Sequence, residues 1–192
     1  MIYVVTNRKL IKRGSLYDKV DKALEYGAEN IILREKDLDY EKLYEMAIKI
    51  KSITDKYNAN LIVNGSLRVA EEVKAYAYHT GFENFISQEK FNIKTGVSIH
   101  SLEEAIEAEK EGAAYLLCGN VYETSCKPGL EGKGLNYIRN IINKVTIPVI
   151  AIGGISEKNI KDVINAGARG AAVMSAIMEE PLIVKRLLKN IK

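Results

Sequence analysis

The stretch Ile147-Pro148-Val149-Ile150-Ala151-Ile152-Gly153-Gly154-Ile155-Ser156 decides the fold when it is read on to Ala166-Gly167-Ala168 and then to Gly170-Ala171-Ala172-Val173-Met174-Ser175-Ala176. A short run of β-branched and small apolar residues reads as a buried strand. Two glycines end that run, and Lys158–Ala166 then takes up a helical spacing. Gly167 stands where a left-handed residue would close the helix. A second apolar run follows and leads into another helix. The unit is strand, helix, strand, with glycine at the turns.

Working outward, the same unit recurs along the whole chain. Strands are expected at Ile2–Thr6, Asn30–Arg34, Asn60–Val63, Ala75–His79, Thr95–Ile99, Tyr115–Cys118, Val149–Ile152 and Gly170–Met174. Helical spacings lie between them, over Leu16–Tyr26, Tyr40–Tyr57, Leu67–Val73, Phe82–Lys90, Leu102–Glu111, Asn136–Lys144, Lys158–Ala166 and Pro181–Lys189. Ser15, Asp39, Ser66, Ser101 and Ser156 are candidate helix caps. Ser101 with Glu104 spells a capping box. Gly27, Gly112 and Gly167 each sit between a helix and the next strand, in one repeated turn. Open doubly wound sheets usually carry about five or six strands, whereas eight alternations are the count of a closed barrel. The expected fold is a single (β/α)8 TIM barrel with short loops, spanning residues 1–192.

Composition narrows the function classes. The formal charge of +3 is small, and no run of five Lys or Arg exists, so nucleic acid is not an expected partner. No apolar stretch approaches the roughly 18–20 residues of a spanning helix, so no membrane partner is expected. The amino terminus is apolar from Ile2 onward and reads as a first strand, not a leader. Cys118 and Cys126 lie eight apart with no neighbouring His or Cys at metal spacing, which suits a reduced, cytoplasmic location. The oligomeric state stays open, and a homo-oligomer is compatible with the sequence.

In a parallel barrel the functional groups follow the strands, on one face. That rule selects a short set of residues. Gly153, Gly154, Met174, Ser175 and Ala176 follow the seventh and eighth strands, where barrels commonly build a phosphate cup from backbone N–H groups. Arg34 and Lys36 share one side of an extended chain and so could meet one anionic ligand. Asn64 and Ser98 follow or end strands as hydrogen-bonding groups. The stretch Gly119 to Gly134 is the longest irregular one, and its Thr124, Ser125 and Lys127 suit an anion. His79 and His100 both close strands. A lone His is more often packed or solvated than catalytic, and His100 is the stronger candidate of the two.

Taken together these segments resemble the thiamin phosphate synthase and TenI superfamily over essentially the whole chain. The match rests on Arg34-Glu35-Lys36, Asn64-Gly65, Gly96 through Ser101, Gly119 through Lys127, Ile147 through Ile155 and Ala172 through Ala176. The run Val121 through Gly132 is most similar to the TenI branch. That branch isomerises a thiazole carboxylate phosphate. The synthase branch joins a thiazole phosphate to a pyrimidine pyrophosphate, with magnesium. Three departures point away from the synthase. Ile32 stands where its Gln-x-Arg-x-Lys motif has Gln, Gly65 stands where it has Asp, and Asn84 lies nearest to its second metal-binding Asp. No cofactor is therefore expected, and Mg2+ only if synthase activity is retained. The expected function is a thiazole tautomerase, an isomerase of thiamine biosynthesis that binds a thiazole phosphate or thiamin phosphate. Alternatives are a synthase of degenerate sequence and a non-catalytic regulatory binder. Asn120 replaces the His that the TenI branch uses as acid–base group. His100, Glu123, Lys36 and Cys126 remain as substitutes, with His100 favoured because histidine is the side chain that in general exchanges protons near neutrality. His100, Asn120 and Lys36 are thus expected at the reacting atoms.

Overall fold

The computed structural model describes residues 1–88, 92–124 and 129–191. Eight parallel strands close into a barrel in sequence order, each paired with the next and the last with the first. They are β1 (Ile2–Val5), β2 (Asn30–Leu33), β3 (Asn60–Asn64), β4 (Ala77–Gly81), β5 (Thr95–Ile99), β6 (Tyr115–Cys118), β7 (Val149–Ile152) and β8 (Gly170–Val173). The helices are α1 (Leu16–Glu25), α2 (Tyr40–Lys56), α3 (Leu67–Glu72), α4 (Phe82–Ser87), α5 (Leu102–Lys110), α6 (Gly134–Ile142), α7 (Ile160–Asn165), α8 (Ser175–Glu179) and α9 (Ile183–Asn190).

Two apolar layers hold the barrel together. Outward strand residues such as Val4, Ile31, Leu33, Leu61, Val63, Val97 and Leu116 pack under the helices. Inward residues alternate with them along each strand. Tyr3, Val5, Ile32, Ile62, Ala77, Tyr115, Leu117, Ile150 and Ala172 fill the lumen as a separate cluster. Large side chains face small ones across it. A Cβ on Gly96 would sit 2.0 Å from Cζ of Tyr115, so β5 yields its inward space to the tyrosine ring on β6. These side chains pack the lumen.

The local rules hold with a few corrections. Ser15, Asp39, Ser66 and Ser101 each accept a hydrogen bond from the helix they precede. Ser15 and Asp18 form the reciprocal capping box. At Ser101 the return bond goes elsewhere: Glu104 accepts from the His100 N–H at 2.6 Å. Ser156 does not cap α7. It sits in a turn with Asn159, whose Oδ1 accepts the Ser156 N–H at 2.8 Å, and the helix starts only at Ile160. β4 begins two residues later than expected because Lys74 is still turning, at φ 51°. A separate short α8 precedes α9, with Pro181 between them. The far end of the helix expected over Phe82–Lys90 lies outside the described residues. Gly27, Gly112 and Gly167 have φ of 100°, 91° and 103°, the left-handed closure expected of them.

Candidate functional site at the barrel mouth

The described residues among the segments selected from the sequence lie at one end of the barrel, where the strands finish. A groove of about 250 Å³ opens there between the ends of β1 and β2, lined by Asn7, Lys9, Arg34, Glu35, Lys36 and Asp37. The charges in it are sorted. Glu35 is buried, and its carboxylate accepts the Arg8 backbone N–H at 3.0 and 3.2 Å and Arg8 Nη1 at 2.9 Å. Asp37 takes Arg8 Nη1 at 2.8 Å and Nη2 at 2.7 Å, and Lys9 at 3.0 Å. These bonds hold the Asp37 carboxyl well below the usual carboxylate range, first through Arg8 and then Lys9. Arg34 and Lys36 flank Glu35 in the chain, line the same groove and make no ion pair among the described residues. Two unneutralised cations at one groove are what an anionic ligand requires.

The remaining expected residues fall into three groups. Asn64 ends β3 and donates from Nδ2 to the His79 carbonyl at 3.1 Å, so its amide oxygen is the end left for a ligand. Ser98 is half-buried on β5, and His79 Nε2 lies 2.8 Å from its hydroxyl. His79 is fully enclosed. Burial first, then the charge of Arg34, pushes its pKa down to about 3. His100 lies at the rim, its side chain 54% exposed, with Nδ1 3.8 Å from Glu104. Its carbonyl accepts from the Lys133 ammonium.

The long stretch after β6 is tied down at its base. Lys133 N–H donates to Asn120 O at 2.8 Å and Gly134 N–H to Val121 O at 2.9 Å. Asn120 is left-handed at φ 58° and buried, and its Nδ2 donates to the Glu131 carbonyl at 2.6 Å. The side chain expected at the reacting atoms is thus a strut inside this loop. Gly153 and Gly154, at φ 114° and 61°, are needed for the same packing. A Cβ on Gly153 would lie 2.9 Å from Asn120 Cα, and one on Gly154 2.4 Å from Glu123 O. Glycine there admits the neighbouring chain, which the sequence does not reveal. Met174 and Ser175 sit half-buried where β8 passes into α8. Thr124 lies at the edge of this loop, whereas Ser125, Cys126 and Lys127 lie outside the described residues.

Magnesium does not fit the described side chains at this mouth. Asn84 offers an exposed neutral amide and Gly65 no side chain. The two carboxylates that line the groove, Glu35 and Asp37, are neutralised by Arg8 and Lys9. Among the described residues no three carboxylate, His or Cys groups converge as a metal site. The fixed positive charges at this mouth are side chains.

An eight-stranded barrel that gathers arginine and lysine at its strand ends is a scaffold for an anionic small molecule. Comparison with known proteins supplies the family. The model of the thiamine monophosphate synthase family matches residues 2–177, and the chain belongs to that family. A thiamine-phosphate synthase of Clostridium acetobutylicum is 38% identical over 185 residues, covering 92% of this chain and 86% of that one. One from Pyrococcus abyssi is 40% identical over 181 residues, with 92% and 86% covered. A solved thiamine phosphate pyrophosphorylase from Pyrococcus furiosus superposes with a TM-score of 0.86 at 36% identity, covering 99% and 94%.

These relatives overturn the expected TenI branch and with it the tautomerase, an isomerase. The kinship is with synthases, which are transferases. The error has a physical source. The expectation rests on the run Val121 through Gly132 and on the departures at Ile32, Gly65 and Asn84, a handful of positions, whereas the kinship extends over 92% of the chain.

No described helix is long and apolar enough to cross a membrane.

Proposed function

We propose that this chain is a thiamine-phosphate synthase, joining a thiazole phosphate to a pyrimidine pyrophosphate with release of pyrophosphate. The observation that carries the reading is kinship across 92% of the chain with a thiamine-phosphate synthase at 38% identity. In this reading Arg34 and Lys36 hold the pyrophosphate, and their charge stabilises the leaving group as the bond to the pyrimidine carbon breaks. Backbone N–H groups of Gly153, Gly154, Met174 and Ser175 hold the thiazole phosphate. Ser98 donates to a ligand oxygen, the Asn64 amide oxygen accepts from an N–H of the pyrimidine, and Thr124, Ser125 and Lys127 are further anion-binding groups. In this reading His100, at the rim, takes no part in bond making. No proton transfer at carbon is needed: the thiazole nitrogen supplies the electron pair and pyrophosphate carries one away.

The test is direct. Purified protein, both substrates and magnesium chloride are mixed, and thiamin phosphate and pyrophosphate are followed by phosphorus NMR. Equal amounts of the two products are expected. Binding of the substrates with no product at high protein concentration would overturn the proposal and leave a ligand-binding barrel.

A further inference from the structure

A chain of polar side chains rises through the largely apolar lumen. Tyr115 Oη lies 3.0 Å from His79 Nδ1, and His79 Nε2 lies 2.8 Å from Ser98 Oγ. His79 is 1% exposed and Tyr115 7%, while Ser98 is half-buried and nearest the mouth. The imidazole and phenol rings lie 5.6 Å apart with 27° between their planes. Polar groups in such a place are unfavourable unless they are bonded. The fold nevertheless makes room for them, because the space beside the phenol ring exists only through the missing side chain of Gly96.

Hydrogen-bond satisfaction fixes the direction of the chain. Burial, foremost, keeps the Tyr115 phenol protonated. Its oxygen has no other hydrogen-bond partner among the described residues, so its proton must go to His79 Nδ1. The opposite arrangement would strand a buried O–H. A neutral imidazole has one N–H, and with Nδ1 accepting, that N–H is on Nε2. It then donates to Ser98 Oγ. The Ser98 proton is displaced from His79 and turns to the mouth.

We propose that Tyr115 and His79 are positioning residues that lock the Ser98 hydroxyl as an outward hydrogen-bond donor to an anionic oxygen of the bound ligand. The ligand part of this statement rests on the synthase reading above; the direction of the chain does not. His79 acts here as a one-way spacer, not as an acid or base, and Tyr115 sets which way it faces.

The experiment has two arms, so that failure of this chain and failure of the synthase reading are distinguishable. Nitrogen-15 NMR of the intact protein reads the His79 tautomer without substrate. Only two histidines exist, and the signal missing from His79→Gln identifies the residue. Neutral imidazole with the proton on Nε2 is expected at pH 7, and Tyr115→Phe should yield a mixture of tautomers. The phenyl ring still fills the space beside Gly96, so this variant keeps the packing. An Nδ1–H tautomer or an imidazolium in the unaltered protein would overturn the proposal whatever the activity.

The second arm is turnover. Tyr115→Phe should lower kcat/KM by about tenfold, the scale of one hydrogen bond. His79→Gln can place an amide donor near the position of Nε2 and should retain most activity. His79→Asn is too short for that and should fall to the level of Ser98→Ala. Equal loss in the Gln and Asn variants, or no loss in Tyr115→Phe, would also overturn it. Absence of product from the unaltered protein removes the synthase reading and leaves the tautomer to decide the direction of the chain.

Discussion

The carboxylate of Glu35 closes on Arg8 from two directions, taking its backbone N–H at 3.0 Å and its Nη1 at 2.9 Å. The contact fastens the turn after β1 to the end of β2, and the Glu35 side chain is only 2% exposed. Removing the guanidinium leaves a buried carboxylate with only backbone partners. We expect Arg8→Ala to destabilise the fold by about 2 kcal/mol, the scale of a lost hydrogen bond to a charged group. Urea unfolding should show a lower midpoint with an unchanged slope. Arg8→Lys should recover less than half, because an ammonium cannot fork across Glu35 and Asp37. A midpoint unmoved by Arg8→Ala would show that this ion pair contributes nothing.

That contact uses up Glu35 and Asp37, so the charge left at the groove is that of Arg34 and Lys36. Arg34→Gln should weaken binding of inorganic pyrophosphate by roughly 10- to 100-fold, with a smaller effect from Lys36→Gln, since only arginine can engage phosphate oxygens in pairs. Calorimetry at fixed ionic strength measures this. Affinity equal to that of the unaltered protein would place the anion elsewhere.

Gly96 and Tyr115 share one volume, with the built Cβ 2.0 Å from the ring. Gly96→Ala should therefore cost about 1–3 kcal/mol by overpacking. Tyr115→Leu removes the obstruction, so the alanine should be far less harmful in that background. A double-mutant cycle in urea should give a coupling of at least about 1 kcal/mol. Additive effects would mean that the barrel relaxes around the methyl group.

The same pair shows how far the sequence could be read. The eight strands were legible because strand and helix periods alternate without interruption, and the Gly27, Gly112 and Gly167 turns were legible because left-handed helix ends select glycine. Arg34 and Lys36 were picked out as cations following a strand, and both line the groove at the barrel mouth. The lumen was not. Strand alternation alone puts His79, Ser98 and Tyr115 on inward positions, but which neighbours touch depends on barrel register, with His79 opposite Gly96 and Gly96 opposite Tyr115. A glycine inside a strand was the available signal, since it commonly marks a close approach. Asn120 was misread for a related reason. Its identity suggested a lost acid–base group, while its left-handed backbone and its bond to Glu131 became visible only in the folded loop.

His79 also makes stability depend on pH. Its pKa falls from 6.5 to about 3 in the folded protein, by burial and then by the charge of Arg34. Between those values the unfolded chain binds a proton that the folded chain refuses. The stability contribution is complete above the unfolded pKa and is lost as pH falls from 6.5 toward 3. Within that window the unfolding constant should rise by up to about tenfold per pH unit from this residue alone. Urea midpoints of the unaltered protein and His79→Gln should therefore converge between pH 6.5 and 5, above the range where carboxylates such as Asp37 begin to protonate. Parallel curves would mean that His79 is charged when folded.

The mouth should show no affinity for magnesium of its own. A magnesium ion keeps several waters and is held by one or two carboxylates together with substrate phosphates. Here Gly65 supplies no ligand and Asn84 a neutral one, while Glu35 and Asp37 are held by Arg8 and Lys9. Arg34 and Lys36 moreover repel a dication from the same groove. Calorimetric titration of magnesium chloride into ligand-free protein should give no saturable heat below the millimolar range. The same titration with inorganic pyrophosphate present should give a signal, because the anion then brings its own oxygens to the ion and its own charge to the two cations. Micromolar binding to the ligand-free protein would reveal a carboxylate site that the described side chains do not form.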